Sequence, residues 1–276
     1  ACGFEVVCAG KGTRYLPSYH ASTPDTVWEH YGLSAEAAKA GGMNPKMFNS
    51  FLDGTKPAIE TAAIANACGL DAPSGGLAYP SGSIDDLPNL MRPTDDGGVL
   101  EAAGQVEVLN SLDAEGNQIP YDIRMGVWVC LHAVTDYQAH CFEEYKVTTD
   151  DTGRYFAAYK RWHLIGLELG MSVASVALRG EATGTAREFR ADVVAVAKRD
   201  LKPGEILDGE GGSTVAGQLR PARVSTRMKA LPLGLTCGAK MLRPVAADRI
   251  LTFDDVQIDQ TLTALTLRRE TEAMLV

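Results

Sequence analysis

A lysine stands between two glycines in "AGKGTRY", residues 9–15. Glycines on both sides would let the backbone approach a ligand closely, and Lys11 would project one long cationic arm from between them. The second chemical stretch is "DGTKPAIETAAIANACGL", which begins at Asp53. Pro57 suits a first helical position and Gly69 a C-terminal stop, which predicts Lys56 at the N-cap. Caps favour Ser, Thr, Asp or Asn, and the helix start is already positive, so a lysine there is locally the wrong choice. One reading makes Lys56 part of an anion site with the first free amides, its ammonium held by Glu60 four residues on. The plainer reading is a solvated surface pair, with Asp53 as a turn residue before glycine.

Arg161, Trp162 and His163 form a third group, set between the tyrosine-rich "GRYFAAYK" and the apolar "LIGLEL". Side chains placed so would leave a core and face a cleft, although a histidine beside an apolar run is more often a hydrogen-bonded structural residue. Cys130, His132, His140 and Cys141 are a fourth group, with the soft ligands zinc takes. "GVWVCLHAV" reads as a strand and "DYQAHCFEEY" as a helix, so ordinary packing is favoured and no metal is expected. With Cys2, Cys8, Cys68 and Cys237, these cysteines contain no CxxC pair and read as reduced thiols.

These residues need elements to hold them. Phe4 to Val7 reads as a strand that Gly10-Lys11-Gly12 should break at once. "TPDTVWEHYGLSAEAAKAGG" contains two short helices with acidic starts and glycine ends. From residue 190 to about 258 the chain becomes short β-prone runs punctuated by Pro and Gly. Within that zone "RDLKPGEILD" at Arg199 and "RPVAADRILT" at Arg243 align at an offset of 44 residues, matching Leu201 with Val245 and Leu207 with Leu251. The pair suggests a small β-domain with pseudo-symmetric halves, the alternative being two similar turns. In "TLTALTLRRETEAMLV", Leu262, Leu265, Arg269 and Met274 recur at helical spacing, as in a docking helix.

The 276 residues favour roughly two domains, and 45% hydrophobic with 22% charged residues is ordinary for a globular protein. A net charge of -9 with dispersed basic residues argues against nucleic acid as a partner. No apolar run is long enough for a membrane helix and the N-terminus has no signal-peptide pattern, so a cytoplasmic location without membrane association is expected.

"VVCAGKGTRYLP", "NPKMFNSFLDGTKPAIETAAIANACGL", "GGVLEAAGQVEV", "KRWHLIGLELGMSVASVALRGE" and "VVAVAKRDLKPGEILDGEGG" together resemble the homoserine-dehydrogenase-like oxidoreductases that end in a SAF domain. One branch of these is the deoxyxylulose phosphate reductoisomerase-like enzymes. The resemblance implies an α+β chain: a homoserine-dehydrogenase-like catalytic and oligomerisation domain over 1–185, a β-clip SAF domain over 190–258 and a docking helix over 259–276. It also implies NAD or NADP, bound mainly by a Rossmann domain. "GKGTRY" and "DGEGGSTVAG" lack the GxGxxG spacing and the strand-to-helix setting, so that domain is expected elsewhere, in a longer chain or a separate subunit.

By the same resemblance Lys11 polarises a substrate oxygen, with Gly10 and Gly12 at the cofactor junction and Asp53, Lys56 and Glu60 orienting Lys11 or the substrate. Asn44 and Lys46 of "NPKM" are further substrate-binding candidates. Two departures concern the substrate. Where the family has tyrosine before the histidine this chain has Trp162, preceded by Arg161, and where the reductoisomerase-like branch has a second lysine it has Thr13 followed by Arg14. The expectation is the substrate-binding and catalytic portion of a homo-oligomeric NAD(P)-dependent oxidoreductase for a small polar hydroxy or oxo compound. The alternative is a stand-alone SAF binding or assembly module.

Overall fold

The computed structural model describes residues 3–275; Ala1, Cys2 and Val276 lie outside the described residues. In chain order the elements are β1 (Glu5–Thr13), α1 (Val27–Tyr31), α2 (Ala35–Ala40), α3 (Pro45–Leu52), α4 (Thr55–Cys68), α5 (Leu87–Leu90), β2 (Gln105–Asn110) and β3 (Val127–His132). They continue with α6 (Asp136–Tyr145), β4 (Tyr155–Lys160), α7 (Ile165–Arg179), β5 (Ala191–Ala197), β6 (Val215–Pro221), α8 (Ala222–Arg227), β7 (Lys240–Met241), β8 (Val256–Gln257) and α9 (Thr263–Ala273). The chain is mixed α+β.

Two compact units divide it. The first takes the residues up to Thr13, Ala63–Pro73 and Ala78–Glu188; the second takes Arg14–Ala62, Ser74–Leu77 and the residues from Phe189 on. Residues 14–62 therefore pack with the C-terminal third rather than with the rest of 1–185.

In the first unit four strands form one sheet in the order β2-β1-β3-β4, with β1 and β2 parallel and the other pairs antiparallel. The expected break at Gly10-Lys11-Gly12 does not occur, because β1 runs through it to Thr13. A Cβ at Gly10 would lie 1.7 Å from the Glu107 carbonyl oxygen, and one at Gly12 would lie 1.8 Å from that of Ile123. The glycines serve a close approach of the chain to itself. Leu87, Met91, Leu109 and Trp128 fill the core beside the sheet. α6 starts on a capping box, with Thr135 and Gln138 exchanging side-chain and backbone hydrogen bonds, and ends at Lys146 in the left-handed region. α7 forms where the sequence shows only an apolar run, and seven of its large apolar side chains are exposed, from Ile165 to Leu178.

The second unit holds the antiparallel pair β5-β6 and the smaller pair β7-β8. The internal repeat is real in three dimensions. Leu201 pairs with Val245, its own equivalent, through N–H to O contacts of 2.8 and 3.1 Å. Val196 pairs with Ile250 and Ile206 with Lys240, which exchange under the same 44-residue offset. Gly204 and Asp248, also equivalent, both turn with positive φ, +85° and +62°. Leu207 and Leu251 are both fully buried in the core of this module. Leu265 of α9 joins that core, which supplies the docking partner for the C-terminal helix, while Leu262 and Met274 stay exposed.

Candidate functional site

A densely hydrogen-bonded polar cluster lies at the corner between α3 and α4. Asn44, expected to touch substrate, is the N-cap of α3: its side-chain oxygen accepts from the Lys46 and Met47 amides at 3.0 and 3.3 Å. Asp53 closes that helix and opens the next one. One carboxylate oxygen accepts the Thr55 N–H at 3.0 Å, and the other accepts Lys198 Nζ at 2.9 Å. Both side chains are buried, 0% and 2% exposed. Lys198 also donates to the carbonyls of Ser22 and Gly212, so all three of its protons have acceptors. Asn49, wholly buried, donates to the Ser22 and Gly211 carbonyls at 3.1 and 2.9 Å and accepts from Ser22 Oγ at 2.6 Å.

α4 begins two residues earlier than the sequence suggests. Ala58 donates to the Gly54 carbonyl at 3.1 Å, so Lys56 lies inside the first turn and is not its cap. The Asp53 side chain on the Thr55 amide supplies the cap that a lysine could not. The Lys56 ammonium lies 4.0 Å from the Glu210 carboxylate, an ion pair other than the expected one with Glu60. Lys46 donates to the Asp208 carbonyl at 2.7 Å.

Both lysine contacts fall on the loop "LDGEGGST", residues 207–214, which is moulded against α3. A Cβ at Gly211 would lie 1.9 Å from the Lys46 carbonyl oxygen. Burial pushes the Asp208 carboxyl up, but hydrogen bonds from the Ser213 and Thr214 amides and the Thr214 hydroxyl outweigh it and leave it below its ordinary value. Close by in the same unit, burial raises the Tyr15 phenol, and the charges of Asp53 and Asp248 add to that. Arg14 donates to Tyr19 Oη at 3.5 Å, and its Nε is buried without a partner.

Lys11 belongs to the other unit. It is half-buried in the middle of the sheet, in register with Val108 on β2 and Val127 on β3. Next to it, opposite Gly10, stands Glu107, whose carboxylate is almost fully buried and accepts the Ala78, Tyr79 and Val108 amides. Burial pushes this carboxyl up to about 7, against the partial restraint of those hydrogen bonds. Arg161, Trp162 and His163 do not leave a core for a cleft; all three are exposed, with Arg161 over the Trp162 ring and His163 Nδ1 2.9 Å from Glu168.

Cys130 is buried in β3, its thiol raised to about 12 chiefly by desolvation, whereas His132 meets Glu5 at 3.0 Å and His140 faces Glu143 and Glu144. Among the described residues no three His, Cys, Asp or Glu side chains gather as a metal group, and no helix is long and apolar enough to cross a membrane.

Among the described residues, Gly10, Gly12 and Gly211 do not fit the pyrophosphate of a dinucleotide. A pyrophosphate cradle needs glycines that open a strand-to-helix turn. Gly10 and Gly12 sit inside a strand, against Glu107 and Ile123 backbone, and Gly211 sits against Lys46.

Sequence reasoning missed Lys198 and Glu107. Each lies in a stretch quoted for the resemblance, but in alternating "VAVAK" and "QVEV" a charged residue reads as solvent-facing.

Comparison with known families gives two matches. The family described as "Oxidoreductase DRL, catalytic domain" matches residues 1–169, and the SAF domain matches residues 192–257. No curated protein matches the chain.

Proposed function

This chain belongs to the DRL oxidoreductase family, and from that premise we propose that it is the substrate-side catalytic portion of a NAD(P)-dependent oxidoreductase. Its substrate class is a small hydroxy or oxo compound with a polar end, with or without a phosphate. The catalytic fold in this reading is homoserine-dehydrogenase-like. The nicotinamide nucleotide is held by a dinucleotide-binding domain beyond the residues described, on a longer chain or another subunit.

Lys11 carries the chemistry in this proposal. Its ammonium stabilises negative charge on the substrate oxygen, a role that a cation preorganised on a central strand performs at low reorganisation cost. In the second unit, taken by itself, Asp53 fixes the start of α4, and Lys56, Glu60, Lys46 and Arg14 are its candidate groups for a polar ligand. The family match over the first 169 residues is the observation that carries the reading. The glycine-locked geometry of β1 supports the choice of Lys11, since strand position leaves its backbone no freedom. The homo-oligomer implied by the resemblance would bring a second copy onto the exposed apolar side chains of α7. A cytoplasmic location completes the proposal.

The test is oxidation of NADH and NADPH by the protein extended through its upstream coding sequence, against a panel of oxo acids, aldehydes and phosphorylated ketoses. Turnover with one member, lost in Lys11→Met with the fold retained, supports the reading. Turnover unaffected by Lys11→Met, or none with any member, rejects it.

A further inference from the structure

We propose that Lys198 is a positioning residue for Asp53 and the first turn of α4, which makes the SAF segment a working part of the site and not a separable binding module. The inference rests on the reading that places Asp53 and Lys56 in an oxidoreductase site, and it adds to that site a residue from the other family region. All the residues it uses belong to one compact unit.

The internal symmetry provides the control. Under the 44-residue offset Lys198 corresponds to Leu242. Their exposures are the reverse of what their chemistry favours: Lys198 is 8% exposed, and Leu242 is 54% exposed. A module whose twin position presents leucine to water has no architectural need for a buried lysine. Burying an ammonium is costly unless every proton is satisfied, and here every proton is. What the burial accomplishes is a fixed Asp53.

The fixation continues along the chain. The second Asp53 oxygen holds the Thr55 amide, and Thr55 Oγ1 accepts the Gly217 N–H of β6 at 2.7 Å. Thus the segment just before Lys56 is tied at one end to the residue following β5 and at the other to β6. Lys56 follows with its backbone direction set.

Amide hydrogen exchange on the full chain tests this without any substrate. In Lys198→Met the Thr55 and Ala58 amides should accelerate at least about ten-fold more than the Ala195, Leu231 and Leu251 amides of the module core, which report the global loss of stability. Asp53→Asn should accelerate the same two amides, and the double variant should add little, because both changes act through one contact. Leu242→Lys should leave all of these amides unchanged. In the extended protein Lys198→Met should lower kcat with the nicotinamide KM unmoved.

Unchanged Thr55 and Ala58 exchange in Lys198→Met, or equal acceleration throughout the module, overturns the proposal. Should Lys198→Met fail to fold, Asp53→Asn decides by the same local criterion. If exchange behaves as expected while turnover ignores Lys11→Met, the oxidoreductase reading fails and only the positioning contact stands.

Discussion

The strand that carries Lys11 and the corner that carries Lys56 hold their lysines by opposite means. In β1 the neighbours of the lysine have no side chain, and the carbonyls of Glu107 and Ile123 occupy the space that a Cβ would take. At the α3–α4 corner a full lysine side chain, Lys198, fills the interior and binds the segment through charge. The first arrangement tolerates no added atom. The second tolerates no lost charge. One is fixed by sterics that salt and pH leave alone, the other by electrostatics in a dry interior.

The sharpest way to break this contrast is Gly12→Ala. Its Cβ would meet backbone at 1.8 Å, which no side-chain adjustment relieves. The expected cost is more than about 4 kcal/mol, seen as loss of folded protein or a collapsed thermal transition. A variant melting like the parent would show that β1 is not sterically locked.

Next in size is the charge at the corner. Lys198→Met leaves the buried Asp53 carboxylate uncompensated and should cost about 3–5 kcal/mol in chemical denaturation. Adding Asp53→Asn should recover part of that loss. Strictly additive costs would mean that the two residues do not act on each other.

Glu107 sharpens the comparison from the sheet side, because it brings a titrating charge into the sterically fixed region. Its folded value of about 7 lies above the ordinary 4.5, so the folded state holds the proton more tightly. That contribution to stability is full below about pH 4.5 and is lost as the pH rises through about 7, roughly 3 kcal/mol in all. Glu107→Gln should flatten stability measured across that interval. A slope that persists in the variant would assign it to another group.

The smallest expected change in stability belongs to Lys56→Gln. Its pair with Glu210 is 4.0 Å long and partly exposed on both sides, worth less than about 0.5 kcal/mol. Turnover of the extended protein, by contrast, should fall at least about ten-fold if the lysine binds substrate. A stability loss rivalling that of Lys198→Met would make Lys56 part of the scaffold.

Much of the scaffold was legible in the residues. α6 coincides with "DYQAHCFEEY", since Thr135 and Gln138 form the capping box that starts it. The 44-residue repeat also survives as pairing between Leu201 and Val245. Where the reading failed, distant chain decided the outcome. Gly10 and Gly12 look like strand breakers until β2 and the Ile123 turn are brought beside them. Lys56 looks like a cap until the Asp53 side chain is seen on the Thr55 amide. Asp53 was read as a turn residue, and it is one, but its second oxygen answers to a lysine 145 residues away, beyond any local pattern.

The symmetric pairing in the C-terminal module bears on how the chain folds. Leu201 with Val245, Val196 with Ile250 and Ile206 with Lys240 are all contacts between one half and the other. Neither half can satisfy its own edge, so no stable half-module precedes the whole. Assembly must close the intervening loop before these contacts reward it, which places the module among the slower, cooperative folding units. During synthesis the first half would wait, with only its β5–β6 pairing made, for the ribosome to deliver the second.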